Sequence, residues 1–178
     1  TGCINIYDLN FKINKINIKN ASCEDGLNIV RSNGTIEKIL IDSTISDGVD
    51  FDFSDIKIKN IDVKNSGGDC IDLSFGQYEF KDINVKNCID KGISVGEMSL
   101  FNTINLSMTN NNTGLAIKDS SIATVENIVK NYNNNTCISM YNKKPEFKSG
   151  KLFYIKIQDS CINKTLLDNN SKLIKKIN

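Results

Sequence analysis

Residues 46–54 read SDGVDFDFS and residues 67–76 read GGDCIDLSFG. Aligned on Asp47 and Asp69, they match Gly48 with Cys70, Val49 with Ile71, Phe51 with Leu73 and Phe53 with Phe75. The register extends both ways along the chain. Asp25, Asp47, Asp69, Lys91 and Thr113 fall at 22-residue steps, in EDGLNIVRS, SDGVDFDFS, GGDCIDLSFG, DKGISVGEMS and NTGLAIKDSS. A further copy, NTCISMYNKK, follows after 23 residues. A fixed period of this length marks a stack of like units, so equivalent positions form columns.

Apolar residues alternate within each unit. Val49, Phe51 and Phe53 share one parity, as do Ile71, Leu73 and Phe75, then Ile93 and Val95, Leu115 and Ile117, Ile138 and Met140. A second alternating run follows in each copy, as in Ile56, Ile58, Ile61 and Val63, or Phe80, Ile83 and Val85. Period two is the signature of a strand with one buried face. Twenty-two residues with this parity leave no room for a helix. Neither a leucine-rich-repeat pattern nor the hexapeptide period of left-handed β-helices occurs. The chain therefore reads as all-β: a right-handed parallel β-helix of about seven to eight 22-residue coils over 1–163. Residues 164–178 follow as a C-terminal cap or tail.

Two columns mark corners. Asn20, Asn65, Asn87, Asn110 and Asn131 close the second strand of successive units. Asn tolerates left-handed backbone, and its amides stack into ladders. Gly26, Gly48, Cys70, Gly92, Gly114 and Cys137 form a column that needs a small residue. The first coil, TGCINIYDLNF, shows no capping helix. Its open strand edges call for cover by a parent protein or for self-association with a second copy. The chain starts at Thr rather than Met, which reads as a mature or excised piece of something longer.

The totals narrow the function classes. The 178 residues carry a net charge of +1, with charges of both signs, so no nucleic-acid partner is expected. Apolar runs are only a few residues long, so no membrane insertion is expected. The absence of His removes imidazole chemistry and His-ligated zinc. The absence of Trp removes one sugar-stacking platform, though Tyr and Phe can serve. Of six cysteines, Cys3 and Cys23, Cys70 and Cys88, and Cys137 and Cys161 lie about one repeat apart. That spacing favours disulfides in sequence order, with buried free thiols as the alternative; no C-x-x-C spacing supports a metal. Disulfides imply a secreted, periplasmic or cell-surface location.

Where Val49 and Phe51 point inward, Asp50 and Asp52 point outward. The next rungs present Asp72 and Ser74, then Ser94 and Gly96, Ala116 and Lys118, Ser139 and Tyr141. The corner column Asp25, Asp47, Asp69 and Lys91 runs beside this face. Crowded carboxylates raise one another's pKa or recruit a cation. Asp50, Asp52 and Asp72 are the oxygen set for a calcium site, though no cofactor is required. Asp50, Asp52, Ser74 and Tyr141 are candidate ligand contacts. Asp47, Asp69 and Asp72, with Lys91 or Lys118, are the candidate catalytic set for attack on a glycosidic bond. The plain alternative is turn chemistry, since Asp before Gly is ordinary at a corner. A basic stripe, Lys57, Lys59, Lys64, Lys81 and Lys86, reads as a solvated face that discourages edge aggregation.

On these strings the chain resembles the pectin-lyase-like right-handed β-helices, and above all the coils of polygalacturonases. Those enzymes carry N-T-D-G, G-D-D-C, G-H-G-x-S-x-G and R-x-K on successive turns; SDGVDFD, GGDCIDL, DKGISVG and LAIK stand in their places here. The resemblance covers roughly residues 24–141. It implies a first carboxylate at Asp47, the second Asp of the pair at Asp69 and a substrate-binding Lys at Lys118. The first Asp of the pair, which resembles the family's general acid, is Gly68; the His is Lys91 and the Arg is Ala116. Inverting hydrolysis needs both an acid and a base, so the resemblance implies the fold without the reaction. The chain is also similar to β-helix domains of uncharacterised bacterial surface proteins.

The expected function is a non-catalytic secreted or cell-surface module for structure, adhesion or glycan binding, with polysaccharide as the partner. The alternatives are a polysaccharide lyase or glycoside hydrolase using the Asp cluster, and a filament subunit stacking end to end. The even period from Asp25 to Thr136 leaves no insertion from which to build a walled groove.

Overall fold

Each repeat folds into one coil made of a short strand and a long one. In the computed structural model, which describes residues 1–132 and 134–176, the coils follow in chain order. They pair β1 (Gly2–Tyr7) with β2 (Asn10–Lys19), β3 (Asp25–Val30) with β4 (Asn33–Thr44), and β5 (Val49–Asp52) with β6 (Asp55–Ser66). Then come β7 (Ile71–Ser74) with β8 (Gln77–Lys86), β9 (Lys91–Gly96) with β10 (Leu100–Thr109), and β11 (Thr113–Lys118) with β12 (Ile122–Tyr132). Last are β13 (Thr136–Tyr141) with β14 (Lys151–Lys156), a four-residue helix α1 (Asp159–Ile162), and β15 (Thr165–Leu167) with β16 (Lys172–Lys175). The short strands form one parallel eight-stranded sheet and the long strands another. The protein is therefore a parallel β-helix of eight coils, and residues 165–175 supply the last strand of each sheet.

The core is built from in-register columns. Leu27, Val49, Ile71, Ile93, Leu115 and Ile138 stack on the short sheet, and Ile39, Ile61, Ile83, Leu106 and Ile128 on the long sheet. All are buried, and each such side chain stabilises the fold by roughly 1.5–3 kcal/mol relative to exposure. The long strands bend midway. Lys59 and Asn60 both face outward, and Ile61 then resumes the inward parity. One coil thus closes around its core with only two strands.

Phe53 and Phe75 depart from the expected inward parity. Both have left-handed backbone, φ 50° and 51°, which ends the alternation and turns the rings out. Asp8, Arg31, Glu97 and Asp119 repeat that conformation, so a second left-handed corner precedes each long strand. The Asn corner is as expected: Asn20, Asn65, Asn87 and Asn110 have positive φ. Asn87 donates to Asn65 at 2.8 Å and Asn110 to Asn87 at 2.9 Å, a stacked amide ladder. The side chain of Asn131 lies outside the described residues. The Gly column is small for lack of space rather than for φ: a Cβ on Gly48 would lie 2.5 Å from the Cys70 carbonyl. The disulfides pair in sequence order, Cys3–Cys23, Cys70–Cys88 and Cys137–Cys161.

A hydroxyl column fills the second corner from inside. Ser54 Oγ donates to the Asp52 carbonyl at 2.7 Å and reaches the Ile29 carbonyl at 3.5 Å. Ser99 does the same for Gly96 and Leu73. Between them stands Gly76, where any Cβ would lie 2.1 Å from the Ser54 carbonyl. The Tyr78 hydroxyl takes over, donating toward the carbonyls of Ser74 and Phe51, both at 2.8 Å. The Ser74 carbonyl also accepts the Phe53 amide, so Tyr78→Phe removes one buried hydrogen bond and is expected to cost about 0.5–1.5 kcal/mol. A lower urea midpoint at unchanged m-value is the expected reading, and an unshifted midpoint contradicts the assignment.

Candidate functional site

The short sheet's outer face is set by strand parity. Asn28, Asp50, Asp72, Ser94, Ala116 and Ser139 occupy one column across β3, β5, β7, β9, β11 and β13. Asp52 and Ser74 lie in the neighbouring column, with Gly96 next in register. Asp50, Asp52, Asp72 and Ser74 are all half-buried and share this face. Lys118 and Tyr141 pair farther along. Lys118 is buried and runs back beside Gly96, where an added Cβ would meet its Cε at 2.8 Å.

Asp47, Asp69 and Lys91 form a different array, a corner ladder. Asp25 accepts a hydrogen bond from the backbone of Asp47. Asp47 Oδ1 accepts from the Asp69 amide at 2.7 Å, and Asp69 Oδ1 from the Lys91 amide at 2.9 Å. The Lys91 ammonium completes the ladder with Asp69 at 3.3 Å and with Asp90. Each carboxylate thus ties its coil to the next. A side chain at position 68 would start 2.2 Å from Asp47 Oδ1, so the glycine there is what lets Asp47 reach its amide. Of the candidate catalytic residues, Asp72 faces outward, whereas Asp47, Asp69 and Lys91 are bound into this ladder.

The acidic residues are held away from water. Burial, then repulsion from Asp52 and Asp72, raises Asp50 to about 7. Burial raises Asp69 to about 7 against the opposing pull of Lys91. Burial also raises Asp47 to about 6, against the hydrogen bond from Asp69 and with repulsion from Asp72 and Asp25. Asp52 and Asp25 are raised for the same first reason. For Lys91, burial opposes the charged form, but the bonds to Asp90 and Asp69 prevail and its pKa is raised. No three of the described Asp, Glu or Cys residues form a group placed to hold a metal ion. Asp50 and Asp72 share one column, and Asp52 stands in the next.

One edge of the face carries rings that strand parity alone would have turned inward. Phe53 and Phe75 are 55% and 38% exposed, and their rings stack at 4.7 Å and 3°. Phe147 meets Phe75 edge-on at 6.2 Å. Phe147 belongs to a strap, residues 142–149, inserted after β13. The long-strand register step there is 29 residues, from Ile122 to Lys151, rather than 22. The strap folds back over earlier coils. Asp119 Oδ1 accepts the amides of Lys143 and Lys144, each at 2.8 Å, and Lys144 pairs with Glu97 at 2.7 Å. The even spacing that ends at Thr136 gives no sign of this wall, which corrects the expectation of an open, insertion-free rod. The longer interval between Tyr141 and the next alternating run, with Pro145 in it, is the signal that could have found it.

The long sheet's basic stripe is largely neutralised. Lys57 pairs with Glu79 at 2.9 Å, Lys59 with Glu37 at 3.3 Å and Lys64 with Asp42 at 3.1 Å. No protein-family model, no curated protein and no solved structure matches the chain. Three disulfides fit an oxidising environment. Among the described residues no helix is long and apolar enough to cross a membrane.

Proposed function

We propose that the protein is a non-catalytic β-helix module of a secreted, periplasmic or cell-surface protein, and that it binds polysaccharide on the outer face of the short sheet. One observation carries this reading: the carboxylates Asp50, Asp52 and Asp72 lie beside an exposed apolar ledge of Phe53 and Phe75. An exposed apolar patch rimmed by polar groups is the usual mark of a binding surface. The ledge suits the C–H face of a sugar ring, and the carboxylates suit its hydroxyls. The resemblance of the coils to pectin-lyase-like β-helices, with Gly68 in the acid's place, supports a module without the reaction.

The near-neutral pKa of Asp50 beside Asp72 favours a second reading, a polysaccharide-active enzyme, because perturbed carboxylates cluster at catalytic sites. A glycan array combined with a polysaccharide-degradation screen separates the two. Binding without turnover, weakened in Phe75→Ala, is expected. Turnover that disappears in Asp50→Asn overturns the module in favour of the enzyme, and absence of glycan binding overturns the glycan reading.

A further inference from the structure

The column Asn28, Asp50, Asp72 and Ser94 holds three unpartnered polar atoms. Asn28 is only 8% exposed and Ser94 is fully buried. The Asn28 amide donates to Asp50 Oδ2 at 3.2 Å, which leaves its own Oδ1 without a donor. Asp72 Oδ1 and Ser94 Oγ are likewise buried and unpartnered. Buried polar atoms in proteins are almost always hydrogen-bonded, so three orphans along one column need an explanation. They occupy the first, third and fourth of four successive rungs, which lie about 4.8 Å apart, rather than converging on one point. An extended ligand fits that spacing better than a single ion does, in keeping with the lack of a metal-holding group among the described residues.

The missing partners of Asn28 Oδ1 and Asp72 Oδ1 are donors, and the local charge favours a cation among them. Asp25, Asp47, Asp52 and Asp72 all bear on Asp50, while the Lys91 ammonium is committed to Asp69 and Asp90 and the N-terminal ammonium is paired with Glu24. We infer that this column is the subsite for a free amino sugar in a polysaccharide, its ammonium against the half-buried Asp50 and Asp72 and a hydroxyl toward Asn28 Oδ1. The inference rests on the glycan-binding reading above and names the ligand's chemical class. A lysine-rich peptide carries the same ammonium but has no hydroxyl-bearing ring to set on the Phe53–Phe75 ledge.

The test is calorimetric titration with a β-1,4-glucosamine oligomer, its fully N-acetylated counterpart, an oligogalacturonate and oligolysine, at near-neutral pH. The free-amine oligomer is expected to bind at least about ten-fold more tightly than the N-acetylated one. Asp72→Asn, which keeps the side chain's shape, is expected to remove most of that preference without lowering the melting temperature. Equal binding of the two glucosamine forms, or tighter binding of galacturonate, overturns the amino-sugar inference and leaves the glycan-binding reading intact. Binding of no oligosaccharide overturns both. Oligolysine binding as tightly as the free-amine oligomer overturns the inference in favour of a basic peptide. A preference unchanged in Asp72→Asn overturns the assignment to this column.

Discussion

Replacing Cys70 and Cys88 together by alanine is expected to lower stability by about 3 kcal/mol, the chain-entropy value for a loop of this size. The disulfide joins the first and last corners of one coil across 18 residues, and both cysteines are buried. Alanine at these positions leaves no unpaired polar group, so the loss reports the cross-link. In a chain of 178 residues that corresponds to a melting temperature lower by roughly 6–12 °C. Differential scanning calorimetry checks it. A decrease under about 2 °C would mean that the unfolded chain already holds those corners close. The Cys3–Cys23 bridge closes a loop of 20 residues, so the entropic model expects a similar loss there. A smaller one would show that the first coil opens on its own.

Stability is also expected to fall as the pH rises from about 4 to 8, the reverse of ordinary acid denaturation. Asp47, Asp50 and Asp69 sit near 6, 7 and 7 in the folded protein, with an ordinary value of 3.8. Between those values the folded chain holds more protons than the unfolded one. Raising the pH through that window therefore favours unfolding, and the loss levels off above the folded values. Solvent screening trims the effect for the half-buried Asp47 and Asp50, leaving on the order of 3–5 kcal/mol, or about 10 °C in melting temperature. Below about pH 4 the trend inverts, because Asp8, Asp42, Glu97 and Asp168 are lowered by their partners and lose that stabilisation when protonated. Thermal melts across pH should show a maximum at mildly acidic pH, flattened on the alkaline side in Asp50→Asn. A melting temperature that climbs steadily to pH 8 would mean these carboxylates are better solvated than their burial indicates.

Much of the architecture was legible because a repeat turns one-dimensional spacing into contact. Cys70 and Cys88 pair because a repeat returns the chain to the same corner, and Asn65 lies under Asn87 for the same reason. Parity failed at Phe53 and Phe75, where the chain leaves the strand. Alternation holds only while φ stays extended, and an aromatic residue gives little warning of left-handed backbone. The acidic residues were found, but their division was not. Asp47 and Asp50 are equally acidic in the sequence, yet one accepts a backbone amide from the next coil and the other faces outward. Tyr78 was invisible as a stand-in for serine, because that role depends on a glycine two residues earlier and on carbonyls from two coils.

The strap changes how such a rod comes apart. In a solenoid each unit touches only its neighbours, so unfolding can begin anywhere and spread. Here a segment leaving the seventh coil reaches Asp119 in the sixth, Glu97 in the fifth and Phe75 in the fourth. Opening any one of these coils breaks contacts that belong to the others. Among the described residues the first three coils have no comparable clasp. The molecule thus joins a half that peels turn by turn to a half that gives way as a block, and the boundary between them falls across the acidic face.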